Sequence, residues 1–182
     1  LLQQDLLSLE KWEHDWLMRF NASKCSILTV TNKLKPITFQ YQLHGTHLER
    51  VSESKYLGVT IQSNLHWDTH IGNICKKASR TLGVIRRNLQ LSAQELKERA
   101  YFSLVRPQLE YACTVWDPYQ VKDITALDKI QRRAARYVTN RFHQRSHVSE
   151  MLEDLGWESL QSRRIKYKLC LAYKAFNNLT TF

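Results

Sequence analysis

Little in this 182-residue chain is suited to spanning a membrane, cross-linking or acting as a linker. No apolar run approaches the roughly 18 residues that a membrane-crossing helix needs, so a helical spanning protein is excluded. No signal peptide, with its basic, apolar and small-residue regions, stands at the front. Five Gly and three Pro are too few for a linker or a low-complexity tail. The four cysteines, Cys25, Cys75, Cys113 and Cys170, are far apart, and none forms a C-x-x-C pair. Neither a zinc ribbon nor a redox motif is therefore present, and they read as reduced thiols in or near a core. Acidic residues are scarce: 17 Asp and Glu stand against 27 Lys and Arg, a net charge of +10. The chain opens on Leu1, already inside an apolar-periodic segment, and reads as a piece of something longer.

Hydrophobic residues make up 43% of the chain, enough for a core. The length fits one domain or somewhat more. The excess positive charge is uneven. Residues 1–65 carry 7 basic and 6 acidic side chains, whereas residues 66–182 carry 20 and 11. The hydrophobic period changes at the same place, from mixed to helical.

In the front part, Leu2, Leu6, Leu9, Trp12, Trp16 and Leu17 fall on one side at about 100° per residue, predicting a helix over 2–18. Residues 25–31 are short and β-branched, a strand by composition. Pro36 marks a turn, and alternation of Ile37, Phe39, Tyr41 and Leu43 predicts a half-buried strand over 37–43. Gly45 permits a tight turn into an arm around Leu48. Residues 55–61 read as a further strand with Gly58 inside it, where a glycine marks a bulge or a close backbone approach.

The back part reads as helix after helix. Ile71, Ile74, Cys75, Ala78, Leu82, Ile85 and Leu89 make a helical stripe over 68–89. Ser92 with Glu95 has the spacing of a capping box, starting a helix that Pro107 should stop near Arg106. Pro107 then opens a short helix through Trp116. Another helix runs over 123–140, and Gly156 separates the last two, over 148–155 and 158–177. The fold class is α+β: a small antiparallel sheet followed by a helical bundle.

The basic residues have a direction. On the helix 68–89, Lys76, Arg80 and Arg87 lie nearly opposite the apolar stripe, with Lys77 to one side. On the helix 123–140, Ile124, Leu127, Ile130, Ala134, Tyr137 and Val138 form the apolar side, while Lys129, Arg132, Arg133 and Arg136 form the other. Arg141 and Arg145 extend the run. A solvated face is the ordinary meaning of such charge. Here almost no acidic partners stand at i±4, so the faces are not laced with salt bridges. Two such helices together make a surface of the kind that neutralises phosphates. An anionic membrane surface fits less well, because the apolar faces are committed to a core.

No catalytic constellation accompanies this surface. His44 with His47, His66 with His70 and His143 with His147 have no cysteine or carboxylate at zinc spacing, and no H-E-x-x-H occurs. No phosphate-cradling glycine loop, no G-x-S-x-G and no adjacent Asp-Asp pair is present.

Several blocks nevertheless resemble a known family. Leu2-Gln3-Gln4-Asp5-Leu6 through Trp12 and Trp16, then Phe20-Asn21-Ala22-Ser23-Lys24-Cys25, resembles the stretch that follows the catalytic aspartates in reverse transcriptases of non-LTR retrotransposons. Lys55-Tyr56-Leu57-Gly58-Val59 resembles their primer grip. Leu104 through Ala112, Val115-Trp116-Asp117-Pro118-Tyr119 and Ile130 through Arg136 resemble the thumb of jockey-like LINE elements. Gly156-Trp157, Arg163-Arg164 and Tyr173-Lys174 resemble the segment after it.

The resemblance implies the end of a polymerase palm over 1–62, a helical thumb over 63–145 and a helical connector over 146–182. It implies that the catalytic aspartates, and the Mg2+ they hold in the full enzyme, lie outside this chain, which by itself has no cofactor. Lys24 falls where such polymerases place a lysine able to protonate departing pyrophosphate; an exposed strand-edge lysine is the plainer reading. Tyr56, Leu57 and Gly58 would form the primer-grip turn. Lys76, Lys77, Arg80 and Arg87 would contact phosphates of the duplex, and Arg132, Arg133 and Arg136 would line the same duplex or the template.

The implied partners are an RNA template, a DNA primer and the rest of the polymerase, with no membrane and no small-molecule ligand. The implied setting is a nuclear and cytoplasmic retrotransposon ribonucleoprotein. Two other readings of the same residues are a standalone basic nucleic-acid-binding module derived from such an element and a non-binding helical remnant.

Overall fold

A computed structural model describes residues 1–31, 33–142 and 147–180 of the chain. Arg145 and His143 lie outside the described residues. The chain is mostly helical with small two-stranded sheets, an α+β fold, and it forms two compact units, Leu1–His66 and Trp67–Phe182.

In the first unit, helix α1 (Leu2–Trp16) precedes a short 3-10 turn at Ala22–Lys24. Strand β1 (Ser26–Leu28) pairs in parallel with β4 (Glu49–Val51). Between them in sequence, β2 (Gln42–Leu43) and β3 (Thr46–His47) form an antiparallel hairpin. Strands β5 (Glu53–Tyr56) and β6 (Val59–Gln62) form another. Among the described residues the sheet content is thus three separate pairs, one of them parallel, rather than a single antiparallel sheet.

Two strand predictions change. The alternating segment 37–43 pairs as a strand only at Gln42 and Leu43; before them the Tyr41 carbonyl accepts from the Leu48 N–H at 2.9 Å and the Phe39 carbonyl from the Arg50 side chain. The strand expected over 55–61 is broken. Leu57 (φ 46°) and Gly58 (φ 86°) are both left-handed, so they form the two-residue loop of the β5–β6 hairpin. Paired positive φ values match the right-handed twist of the flanking strands, and Gly supplies one without strain. His44 and Gly45 do the same between β2 and β3.

Helix α1 forms as its period requires, yet it turns a polar side to its sheet. The Gln3 side-chain amide both donates to the Gln42 carbonyl and accepts from the Gln42 N–H, each at 3.0 Å, completing the edge of β2. Glu10 accepts from the His44 N–H, and buried Glu13 meets the His44 ring and accepts from the Phe20 N–H. Leu2, Leu9, Trp12 and Trp16 of the predicted stripe are exposed, with Trp12 stacked between Trp16 and Phe20.

The second unit holds most of the core. Helix α2 (Asp68–Asn88) buries Ile71, Ala78, Leu82 and Ile85, as its stripe predicts. Helix α3 (Gln94–Ala100) starts one residue later than a capping box would allow: the cap position is Ala93, and no side chain caps the helix. The helical run also does not stop at Arg106. It passes through a π-helical turn, Tyr101–Val105, into α4 (Arg106–Glu110). A proline lacks an N–H and clashes with the carbonyl four residues back; the wider π turn before Pro107 accommodates both and lets the chain continue. The predicted helix through Trp116 breaks instead at Tyr111–Ala112, where Ala112 has φ 52°, and resumes as α5 (Cys113–Trp116).

Helix α6 (Val121–Thr139) lies against α2 and buries Leu127, Ile130, Ala134, Tyr137 and Val138. Helices α7 (Val148–Asp154) and α8 (Leu160–Phe176) follow, both packed on α6. Gly156 (φ 62°) ends α7 in a Schellman arrangement: its N–H donates to the Glu153 carbonyl and the Trp157 N–H to the Leu152 carbonyl. Trp157 then stacks on Tyr101, centroids 4.3 Å apart, and its Nε1 donates to Glu98.

Helix α8 is tied to α5 by charge. Arg164 is fully buried, and its Nε donates to Asp117 Oδ1 at 2.8 Å; Lys168 also reaches Asp117. Arg163 pairs with Glu110 of α4 in a two-pronged contact. The four cysteines are free thiols; Cys113 is buried, whereas Cys170 is exposed on α8.

Two stability outcomes are expected. Gly156→Ala should cost about 1 kcal/mol by urea unfolding, because a Cβ meets open space there and only the left-handed backbone is penalised. Asp117→Ala should cost about 3 kcal/mol or more in the same assay, because it strands a buried guanidinium.

Candidate nucleic-acid interface

The geometry of the second unit follows from how α2 and α6 lie together. The pKa of the Cys75 thiol on α2 is pushed up to about 11, by burial and then by Asp123 of α6. One turn later Arg133 Nη1 reaches Ser79 Oγ at 3.4 Å. Further on, the Tyr137 hydroxyl contacts the Ile85 and Leu89 carbonyls at 3.3 and 3.0 Å. Near the end, the Arg86 guanidinium stands over the Phe142 ring, 5.9 Å from its centroid. The contacts advance in the same direction on both helices, so the two run side by side and parallel.

On α2, the side chains facing α6 include small ones, Ser79 and Gly83, which leave a groove rather than a filled seam. Lys76, Arg80 and Arg87 stand exposed along one edge of it. Exposed Arg133 and half-buried Arg136 stand along the other, with exposed Lys129 a turn before Arg133. Helical spacing puts Lys77 on the opposite edge of α2, the side on which Thr81 accepts from Gln108 of α4. Arg132 turns toward α8, where it and Arg164 lower the pKa of Asp128 against the larger, raising effect of burial. Helical spacing and exposure therefore set Lys76, Arg80, Arg87, Arg133 and Arg136 along the seam of α2 and α6, with Lys77 and Arg132 on its outer flanks.

The cations of this unit divide into two populations. Arg106 and Arg163 pair with Glu110, Arg141 with Asp154, Arg164 and Lys168 with Asp117, and Lys166 with Glu158. Among the described residues, none of Lys76, Lys77, Arg80, Arg87, Lys129, Arg132, Arg133 and Arg136 forms an ion pair. Like charges gathered without acidic partners raise the local positive potential.

The remaining sequence-predicted residues belong to the first unit. Lys24 is exposed at the end of the 3-10 turn, immediately before Cys25 and β1. Tyr56, Leu57 and Gly58 occupy the tip of the β5–β6 hairpin, exposed, with Tyr56 paired to Val59. Among the described residues, no group of three or more His, Cys, Asp or Glu side chains is placed to hold a metal ion. No helix of the described residues is long and apolar enough to cross a membrane.

Sequence reasoning missed Arg86, Lys97 and the pair Asn140 and Phe142. Arg86 follows directly after buried Ile85, so a helical wheel discards it, although its long stem lets the charge emerge beside α6. Lys97 was hidden in an ordinary charged segment, and its burial under Tyr137 is purely tertiary.

No protein-family model and no solved structure matches the chain. Three curated proteins do. The first, described as "Probable RNA-directed DNA polymerase from transposon BS" of Drosophila melanogaster, is 26% identical over 143 residues, covering 76% of this chain and 16% of that protein. The RNA-directed DNA polymerase from mobile element jockey of Drosophila funebris is 30% identical over 135 residues, 71% of this chain and 14% of that protein. Its Drosophila melanogaster counterpart is 27% identical over 142 residues, 76% and 15%. The chain thus spans about one sixth of the length of these relatives. Over about three quarters of its own length, the chain is homologous to a segment of the non-LTR retrotransposon RNA-directed DNA polymerases of the jockey and BS elements.

Proposed function

We propose that this chain is the part of a LINE-type reverse transcriptase that grips the RNA template and DNA primer while catalytic aspartates outside it carry out nucleotidyl transfer. The observation that carries the reading is the population of unpaired cations gathered along α2 and α6, in a chain related to polymerases that act on nucleic acid. Lys76, Arg80, Arg87, Arg133 and Arg136 neutralise phosphates on one duplex, and Lys77 and Arg132 reach phosphates at its margins. Such contacts fix the position of a duplex without reading its sequence, as a polymerase that copies any template requires.

In the same reading the β5–β6 turn is the primer grip. Gly58 removes a side chain where backbone approaches the primer end, and exposed Tyr56 and Leu57 flank it. Lys24 acts as a proton donor to the departing pyrophosphate in the full enzyme. The working setting is a retrotransposon ribonucleoprotein.

Binding of a fluorescent RNA–DNA hybrid, titrated against salt, tests the reading. The log–log slope should be about −0.9 for each phosphate neutralised, taking the value for B-form DNA. Changing Lys76, Arg80 and Arg87 together to Gln should flatten it by up to about 2.7. The same triple variant should unfold in urea within about 0.5 kcal/mol of the parent, because these side chains hold no partner. Absence of binding at low salt overturns the proposal and leaves a non-binding helical remnant. A primer-extension gel with Mg2+ and all four deoxynucleotides should show no product from this chain alone; extension would place catalysis within it.

A further inference from the structure

A cavity of about 530 Å³ opens where α2 and α6 end, and Arg87, the last of the α2 cations assigned to the duplex, stands at its border. Arg86 and Arg87 of α2 and Gln90 just after it line one side, and Tyr137, Asn140 and Phe142 the other. Phe142 is 57% exposed, and the Arg86 guanidinium stands near its ring. Beneath lies Lys97, only 1% exposed, whose Nζ donates to Asn140 Oδ1 at 3.0 Å and sits 5.2 Å from the centroid of the Tyr137 ring. Among the described residues, no ion pair engages Lys97, Arg86 or Arg87.

The carbonyl end of α2 favours Arg86 and Arg87 by itself. It does not account for a buried ammonium on a neighbouring helix, which is costly without a counter-charge. An anion in the cavity would offset that cost. With its Oδ1 accepting from Lys97, Asn140 keeps its two Nδ2 hydrogens as donors. The cavity therefore combines donors and positive charge with an aromatic face, at a size that admits one nucleotide.

We propose that this cavity takes one unpaired nucleotide of a strand leaving the duplex groove, its base stacked on Phe142 and its phosphate held by Arg86 and Arg87. The site rests on the reading of the α2–α6 groove as a duplex surface and extends it: the groove holds paired backbone, and its end captures the first unpaired unit. Stacking on an aromatic ring is tolerant of base identity, so the site would serve any sequence.

The test compares three RNA–DNA hybrids by fluorescence anisotropy over a series of salt concentrations. One is blunt, one carries a three-nucleotide single-stranded extension on either strand, and one carries an abasic extension of the same length. The base-bearing extension should bind at least about fivefold tighter than the abasic one, the least that base–aromatic stacking supplies. Phe142→Ala should abolish that difference while leaving affinity for the blunt hybrid unchanged, which also reports that the variant is folded. Arg86→Gln should weaken both extended hybrids and lower their salt slope by about one, with little effect on the blunt one. Equal affinity for base-bearing and abasic extensions overturns the site, as does a Phe142→Ala variant that weakens all three hybrids alike. If none of the hybrids binds, the duplex reading fails as well; if the blunt hybrid binds and the extension adds nothing, only the pocket fails.

Discussion

The second unit depends on one packing choice, the alignment of α2 beside α6. Each helix has a single apolar stripe and must bury it. Ala78 and Ala134 are fully buried within those stripes. The Tyr137 hydroxyl then meets carbonyls at the end of α2, which fixes how far along α2 the partner helix sits. Once both stripes enter one core in parallel, the opposite sides of the helices emerge together. The charged groove is a consequence of that burial and needs no contact of its own to hold it.

The same unit uses positive charge in a second, opposite way. Arg164 is taken wholly out of water and matched to Asp117, with Lys168 sharing the carboxylate. Arg163 is matched to Glu110, and that bond raises its pKa further. A buried guanidinium is tolerated only with such partners. This explains why Trp116-Asp117-Pro118 and Arg163-Arg164, far apart in sequence, occur together in the chain. Trp116 is buried and donates to the Tyr111 carbonyl, Asp117 follows it, and α8 closes on that carboxylate. These residues are structural, whereas the cations of α2 and α6 named above form no ion pair among the described residues.

The places where sequence reasoning failed share a cause. Pro107 signals a helix end by its local chemistry, but the packing of Tyr101 and Val105 in the core holds the chain helical, and a π turn absorbs the misfit. The segment 55–61 has strand composition throughout, and composition alone does not distinguish a strand interior from a hairpin tip at Leu57-Gly58. Helix α1 has the period of a core helix, yet Gln3, Glu10 and Glu13 make its contacts with the β2–β3 hairpin. In each case a short element is decided by what lies against it, and that partner is distant in sequence.

The long helices α2 and α6 were legible because a repeating stripe over five turns leaves few alternatives, and with them came the direction of Lys76, Arg80, Arg87, Arg133 and Arg136. The charge imbalance and the absence of a metal-binding or nucleophilic motif were equally plain in the sequence. Only the tertiary structure separated paired from unpaired cations, because several pairs, such as Arg163 with Glu110, join residues some fifty positions apart. Only it placed Lys97 under Asn140 and opened a cavity beside Phe142, since burial of a charge is a property of neighbouring helices and leaves no period in the sequence.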